Sequence, residues 1–568
     1  MTSRSAAKQD TSDLHEPTRE RLLRSLESAD PNEVMLIVEA ISRLSEADAE
    51  SQIVGNSTRQ RQDGIYYTSF GLARALVKDA IRLNGGIAGS LLEPCVGGGS
   101  FLFAYIEALT ESKSPSRNEL ETILGKCFIA DSDRNAVANL LELLPLYTKA
   151  RFGHAVNLPA GNVYIGDSLL TQTESGIKLT DLRSIFKQNH GFDFVITNPP
   201  YRLLKPDARQ GKEVVEGIQK ISKELARSKL FKHSRGTPNI YKLFTEAIVD
   251  SWVADTGVVG LLIPRSLLTD LQSSKLRLHL LQNFRIGTIL NLNEGTDYFK
   301  NIGQAFSAFA MKKGMPTKTV SFGALNDRTW DVSVTTTAKL SDLASITQDS
   351  ALFEFSSQQK RTLSVLSKIK KLSEHIELVN LRGELDISLD KTYITNEPTE
   401  YKYLAGNNLS FYGFSESGKY VVPEFLDRPK GMWSALPRLA CHQIQNMNSN
   451  RRLKWALIPP GYVLANSCNF VSIDPQRLGD FGPLELYALL GVLNSGIQNE
   501  RFKLLSPNNH ISNSEIASFP IGEIKRLGSS RIPGLAEELT ILMDAEKLSL
   551  LDDEVLKHFD LTSTPRTG

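Results

Sequence analysis

Four cysteines in 568 residues, scattered at Cys95, Cys127, Cys441 and Cys468 with no C-x-x-C spacing, leave little on which to build a disulfide framework or a thiolate zinc site. That usage fits a reduced, cytoplasmic protein. The nine histidines show no metal-ligand spacing along the chain either, so no metal is expected. No apolar run reaches the roughly 20 residues of a membrane span. The start, Met1-Thr2-Ser3-Arg4-Ser5, lacks the apolar core of a signal peptide. An excess of one charge is missing too: 65 Lys and Arg face 64 Asp and Glu, a net charge of +1, so any surface for a polyanion has to be local. No sequence period between about 20 and 50 residues marks a repeat array. What remains is ordinary globular composition, 41% hydrophobic, in a chain long enough for several domains.

Alternating strand and helix patterns organise the first half. Helical spacing covers Leu72–Leu83, Tyr241–Val253 and a stretch near Lys275–Gln282. Short apolar runs at Leu91-Leu92, Cys127–Asp131, Val163–Ile165, Phe192–Thr197, Val258–Ile263, Ile286–Leu292 and Ala305–Met311 read as strands. This is the α/β pattern of a doubly wound sheet. Before it, Asp30-Pro31-Asn32-Glu33 supplies an N-cap, a proline at the first helical position and a glutamate at the third, opening a helix through Leu44. After about Pro316 the character changes to helical spacing over Ser357–Ile376, then short stretches broken by Gly, Asn and Pro.

The most informative residues are Asn198-Pro199-Pro200-Tyr201, directly after the apolar run Phe192–Thr197. They therefore sit at the carboxyl end of a strand, where open α/β sheets bind ligands. Two prolines stiffen the loop and withhold their N–H groups. An amide acceptor (Asn198), a carbonyl (Pro199) and an aromatic face (Tyr201) together make a holder for a planar amino group. Upstream, Leu91-Leu92-Glu93-Pro94-Cys95-Val96-Gly97-Gly98-Gly99-Ser100-Phe101 runs from a strand through a glycine-rich turn into a helix. It lacks both the dinucleotide G-x-G-x-x-G and the P-loop Lys. The Glu93 carboxylate would repel phosphates and suit a cationic cofactor. Asp131 closes a second strand with an acid able to take ribose hydroxyls, and a third strand ends at Gly166-Asp167.

Taken in order, these motifs resemble the gamma-class N6-adenine DNA methyltransferases of restriction–modification systems, with the TaqI-like layout, from about Arg61 to Gly314. The resemblance implies a Rossmann-like class I S-adenosylmethionine-dependent sheet followed by a mixed α+β target-recognition domain. It assigns Tyr67 and Thr68 to the N-terminal cofactor motif, and Glu93, Pro94, Cys95, Gly97, Gly99 and Phe101 to the S-adenosylmethionine loop. Asp131 becomes the ribose acid and Asp167 the acid facing the cofactor adenine. Asn198, Pro199, Pro200 and Tyr201 become the catalytic tetrapeptide, with Asn198 also touching cofactor and Phe299 a second aromatic on the opposite face of the target base. Ser69, Ser132 and Ser168 depart from the family pattern: Ser69 replaces a proline, and the other two stand where bulkier apolar residues often sandwich the adenine.

The implied division is a helical extension (1–60), a catalytic domain (61–325), a helical linker (326–374), a DNA target-recognition domain (375–530) and a helical tail (531–568). Three stretches in the C-terminal part, at 403–408, 438–443 and 490–495, loosely resemble target-recognition regions. For DNA, the segment from Arg202 to Arg235 carries ten Lys or Arg against four Asp or Glu. Arg202, Lys205, Arg209 and Lys212 beside the active-site mouth are expected on phosphates, as are Arg451 and Arg452 further on. The alternatives are a solvated helical insertion and an exposed turn. The expected partner is double-stranded DNA, bound as a monomer, with a separately encoded endonuclease. The chain itself shows no nuclease signature: Pro206-Asp207 sits in a polar helical stretch. Competing readings are protein-glutamine or RNA methyltransferases that share the tetrapeptide, and DNA cytosine-N4 enzymes, whose tetrapeptide normally opens with Ser.

Overall fold

The computed structural model describes residues 19–27, 29–30, 33–41, 68–111, 114–174, 176–204, 211–234, 239–292, 305–326, 329–347, 349–428, 430–446, 449–474, 476–477, 481–506 and 509–561. Tyr67, Lys205, Arg209 and Phe299 lie outside them.

Five parallel strands form the heart of the first domain: β1 (Leu91–Glu93), β2 (Cys127–Asp131), β3 (Val163–Ile165), β4 (Phe192–Thr197) and β5 (Val253–Pro264). With β6 (Thr288–Leu292), β7 (Phe306–Lys313), β8 (Thr319–Leu325) and β9 (Val332–Lys339), the sheet runs β9-β8-β6-β7-β5-β4-β1-β2-β3. Strand β7 is antiparallel to both neighbours, β5 and β6. The strand reversal between β1 and β4 makes a topological switch point, and ligand sites gather at the carboxyl ends there.

The apolar runs are nearly continuous because both faces are covered. Along β4, Phe194 and Ile196 join one apolar layer and Val195 the other. Along β2, Ile129 faces the first layer while Phe128 and Ala130 face the second. The first layer is closed by α1 (Phe70–Leu83), α2 (Ser100–Thr110) and α3 (Arg134–Phe152), through residues such as Leu76, Phe101 and Leu140. The second is closed by α5 (Ile240–Ala247) and α6 (Ser274–Asn283), through Phe244, Leu276 and Leu280. The basic stretch beyond the tetrapeptide contains the helix α4 (Lys212–Ser228). Residues 34–41 of the expected N-terminal helix are helical, and Val34, Val38 and Ile41 are buried in the first layer.

The stretch expected to be a helical linker, 326–374, also contains strand β9, which pairs antiparallel with β8 and extends the same sheet. Its sequence, Val-Ser-Val-Thr-Thr-Thr-Ala-Lys, alternates at period two and is rich in β-branched residues, a strand signal that the helical spacing further on had overshadowed. The helix expected over Ser357–Ile376 ends at Leu366.

Beyond residue 375 the chain builds an antiparallel sheet from β10 (Leu378–Arg382), β11 (Arg438–His442), β12 (Trp455–Ile458) and β13 (Cys468–Ile473), in the order β10-β13-β11-β12. A second small sheet and the helices Pro483–Asn494, Ile532–Ile541 and Ala545–His558 pack about it. No helix among the described residues is long and apolar enough to cross a membrane.

Candidate functional site

The glycine-rich turn after β1 is held from both sides. Val96 donates to the Ala130 carbonyl at 3.1 Å, and Gly97 donates to Asp131 Oδ2 at 2.9 Å. Gly97 (φ +46°) and Gly99 (φ +78°) use left-handed backbone, which lets the turn fold back and launch α2. A Cβ on Gly99 would also come within 2.6 Å of Leu140. Glu93 is 1% exposed and points under this turn, its Oε2 accepting from the Leu102 amide at 3.0 Å. Burial pushes its carboxyl well above the usual range, against the pull of the Leu102 and Phe101 amides. The carboxyl group thus anchors the first turn of α2 by accepting from its backbone amide.

Asp131 is half-buried at the end of β2, with Oδ1 accepting from the Asp133 amide at 2.9 Å and Oδ2 from Gly97. Burial raises its pKa despite these donors. Each carboxylate oxygen has two acceptor positions, so capacity for ligand hydroxyls remains. Asp167 is exposed at the end of β3; its Oδ1 takes the Leu169 and Leu170 amides at 2.9 and 3.0 Å. Ser168 is buried, donating to the Pro94 carbonyl at 2.6 Å, so it ties β3 to the glycine-rich turn. Ser132 is exposed beside Asp131. Phe101 is turned into the core, 2% exposed, and Cys95 is half-buried with its thiol pushed up by burial.

The decisive junction lies between Thr68, Ser100 and Asn198. Asn198 Nδ2 donates to Thr68 Oγ1 at 3.0 Å, and Ser100 Oγ donates to the Thr68 carbonyl at 2.8 Å. One residue of the N-terminal motif therefore ties the tetrapeptide after β4 to the first residue of α2. The Tyr201 hydroxyl lies against Asn198 Oδ1 and 2.9 Å from the Leu262 carbonyl on β5. Its ring packs on Phe306 (5.0 Å between centroids) and edge-on to Tyr241 (6.3 Å). Pro199 is buried, while Asn198 and Tyr201 remain half-exposed.

The sequence reading did not single out Ser100 or Phe306. Phe306 stood inside a recognised strand, which gave no sign that its ring would meet Tyr201. Ser100 follows three glycines, and nothing in that run marks its hydroxyl as a tie to Thr68.

The cations expected on DNA separate. Lys212 is exposed, its side chain 89% accessible. Arg202 is half-buried and its carbonyl accepts from Ile240. Arg452 is a correction: it is 1% exposed, donates to the Ser506 carbonyl and lies 4.7 Å over the Phe502 ring, so it is spent on interior packing. Arg451 donates to the Asn494 carbonyl at 2.7 Å and sits 4.5 Å over Phe411, holding the strand region to the C-terminal helices rather than facing solvent as a bare charge.

Residues 139–299, which include the tetrapeptide, match the family described as Eco57I restriction-modification methylase. No curated protein matches the chain. Among solved structures, the ATP-dependent Type ISP restriction-modification enzyme LlaBIII bound to DNA is similar at 11% identity and TM-score 0.57, over 89% of this chain and 42% of that one. The DrdV–DNA complex is similar at 12% identity and TM-score 0.55, over 91% and 60%. The Type IIL restriction-modification enzyme MmeI in complex with DNA gives 12% and 0.51, over 88% and 73%. At such identities these likenesses establish a shared fold. The chain spans less than two thirds of the length of the first two.

Proposed function

We propose that this chain is a site-specific DNA methyltransferase that transfers a methyl group from S-adenosylmethionine to the N6 amino group of an adenine turned out of the duplex, as the modification component of a restriction–modification system. The observation that carries this reading is the hydrogen bond from Asn198 Nδ2 to Thr68 Oγ1. It puts the amino-group holder against the motif and helix end that suit a cofactor. The residues present fit that cofactor: a half-buried acid at the end of β2 with spare acceptor capacity, an exposed acid at the end of β3, and a glycine-rich turn opening onto a helix N-terminus.

When bound, S-adenosylmethionine supplies an electrophilic methyl group on a sulfonium. The protein's part is placement and electrostatics. An adenine amino nitrogen is a poor nucleophile because its lone pair is delocalised into the ring. Asn198 Oδ1 and the Pro199 carbonyl accept its two N–H groups and favour a pyramidal nitrogen with its lone pair exposed. A carboxamide is no useful base, so no proton abstraction by Asn198 is involved. Thr68 fixes the amide's orientation by accepting from Nδ2, which leaves Oδ1 as the acceptor facing the base. Here that oxygen faces the Tyr201 hydroxyl, so an arriving amino group takes the place of an internal partner. Turning a base out costs a few kcal/mol, and stacking on Tyr201 returns about 1–3 kcal/mol.

The solved relatives LlaBIII, DrdV and MmeI are DNA complexes by their own descriptions, which supports double-stranded DNA as partner here. The exposed Lys212 opens the helix α4 and suits phosphate contact. Sequence choice is assigned to residues 375–530 and cofactor binding to the sheet domain.

The test is modified-base sequencing of DNA from cells expressing the chain. N6-methyladenine at one recurring sequence, absent when Asn198→Ala is expressed instead, is the expected result. N4-methylcytosine, or unmodified DNA with methyl transfer to protein or RNA, overturns the reading.

A further inference from the structure

At the other end of the sheet, three metal-ligating side chains converge that no sequence spacing revealed. Asp250 and His279 lie 29 residues apart, yet His279 Nε2 is 2.8 Å from Asp250 Oδ1. The His233 ring stacks on that of His279, with centroids 4.1 Å apart and planes at 14°. One ligand atom from each of the three lies within 4.8 Å of the others. Strands β4 and β5 are parallel. Asn198 follows the last residue of β4, whereas Asp250 precedes the first residue of β5. The cluster and the catalytic loop are therefore at opposite ends of these strands.

Each ligand is carried by rigid backbone. Asp250 is on a π-helical turn, Ile248–Trp252, which interrupts the passage from α5 into β5. Such turns are uncommon and gather at functional positions. His279 is on α6, where Asn283 Nδ2 donates to its carbonyl at 2.8 Å and lies 3.3 Å from the ring's Nδ1. His233 belongs to the loop after α4. The amides of Lys232, His233 and Ser234 all donate to the Glu246 carboxylate, which is 2% exposed. A buried acid thus fixes the turn that presents His233. Access remains open: the Asp250 side chain is 37% exposed, and a cleft of about 480 Å³ beside it is lined by Asp181, Asn189 and Trp252.

We propose that His233, Asp250 and His279 bind a divalent zinc-like ion that clips the end of the basic segment to α6 and the entry of β5. Two imidazole nitrogens and one carboxylate oxygen are the donor set of Zn²⁺, whereas Mg²⁺ and Ca²⁺ prefer all-oxygen shells. Ligand atoms about 2.0–2.2 Å from one ion at tetrahedral angles lie about 3.4 Å apart, so binding separates His279 Nε2 from Asp250 Oδ1, now 2.8 Å apart, and turns the His233 ring out of its stack on His279. The fourth position is left to water from the cleft. The role is structural, because the ion lies far from Asn198, and the proposal stands apart from the methyltransferase reading.

The test uses the full chain, stripped with chelator and titrated with ZnCl₂ by calorimetry, with Co²⁺ absorption reporting the coordination sphere. One equivalent should bind and raise the unfolding temperature. Second-shell losses alone cost about 10–100-fold in metal affinity, so His233→Gln, Asp250→Asn and His279→Gln should each weaken binding by more than about tenfold. His233→Gln leaves the His279–Asp250 contact intact and stays decisive if the other two variants misfold. No stoichiometric uptake, or uptake undiminished in His233→Gln, overturns the proposal.

Discussion

Asn198 Nδ2 donates a hydrogen bond to Thr68 Oγ1 at 3.0 Å, joining two residues 130 positions apart in the chain. Through the same residue, whose carbonyl accepts from Ser100 Oγ, the catalytic loop is tied to the first turn of α2. The amide is held at one end, so its oxygen is presented at the other.

Thr68→Val keeps the shape and removes that acceptor. The rate of methyl transfer should fall about tenfold, the equivalent of roughly 1.4 kcal/mol for one oriented hydrogen bond. Thr68→Ser should restore it. Single-turnover kinetics at saturating cofactor and DNA provides the check, and a full rate in the Val variant would show that Asn198 is oriented by other contacts.

Tyr201 combines a ring packed at a tilt against Phe306 with a hydroxyl set against Asn198 Oδ1. Tyr201→Phe removes only the hydroxyl and should leave DNA affinity unchanged. Tyr201→Ala removes the stacking surface and should weaken specific DNA binding by about 1–3 kcal/mol. Fluorescence anisotropy on a labelled duplex separates the two. Equal losses would assign the effect to the hydroxyl.

Burial holds the pKa of the Glu93 carboxyl well above the usual carboxylate range in the folded chain. The folded state therefore binds its proton more tightly than the unfolded one, and stability falls as pH rises from the unfolded pKa through the folded one. Glu93→Gln keeps an oxygen for the Leu102 amide and removes the titration. Urea midpoints measured from pH 4 upward should decline less steeply in the variant than in the wild type. Parallel slopes would acquit Glu93.

In the C-terminal domain, Arg438 and Glu384 form a fully buried pair at 2.8 Å, with Glu384 also accepting from the Leu464 amide at 3.0 Å. Arg438→Met would strand a buried carboxylate, at a cost of about 3–5 kcal/mol. Adding Glu384→Gln should recover part of that loss. Denaturant unfolding of the single and double variants checks both statements, and an additive double variant would mean that the pair is not coupled.

The apolar runs that became β1 to β5 were legible because a strand buried on both faces must be apolar nearly throughout, and that requirement is local. So was the position of Asn198 at a strand's end, and of Gly97 and Gly99 in a turn whose left-handed backbone they alone adopt cheaply. Strand β9 was missed, although its own alternation encoded it, because a neighbouring helical period was extended over it. What no local pattern carried were the contacts between distant segments. Arg452 has the sequence look of an exposed charge, yet Phe502 and Ser506, some 50 residues on, form an interior niche for its guanidinium. His233, Asp250 and His279 are ordinary surface residues until α6 packs beside the π-helical turn. Thr68 meets Asn198 only because the sheet places β4 next to β1, which brings the end of α2 beneath the tetrapeptide. Periodicity and turn chemistry determine the elements. Their adjacency depends on burying both faces of one sheet at once, and it was adjacency that turned scattered motifs into a site.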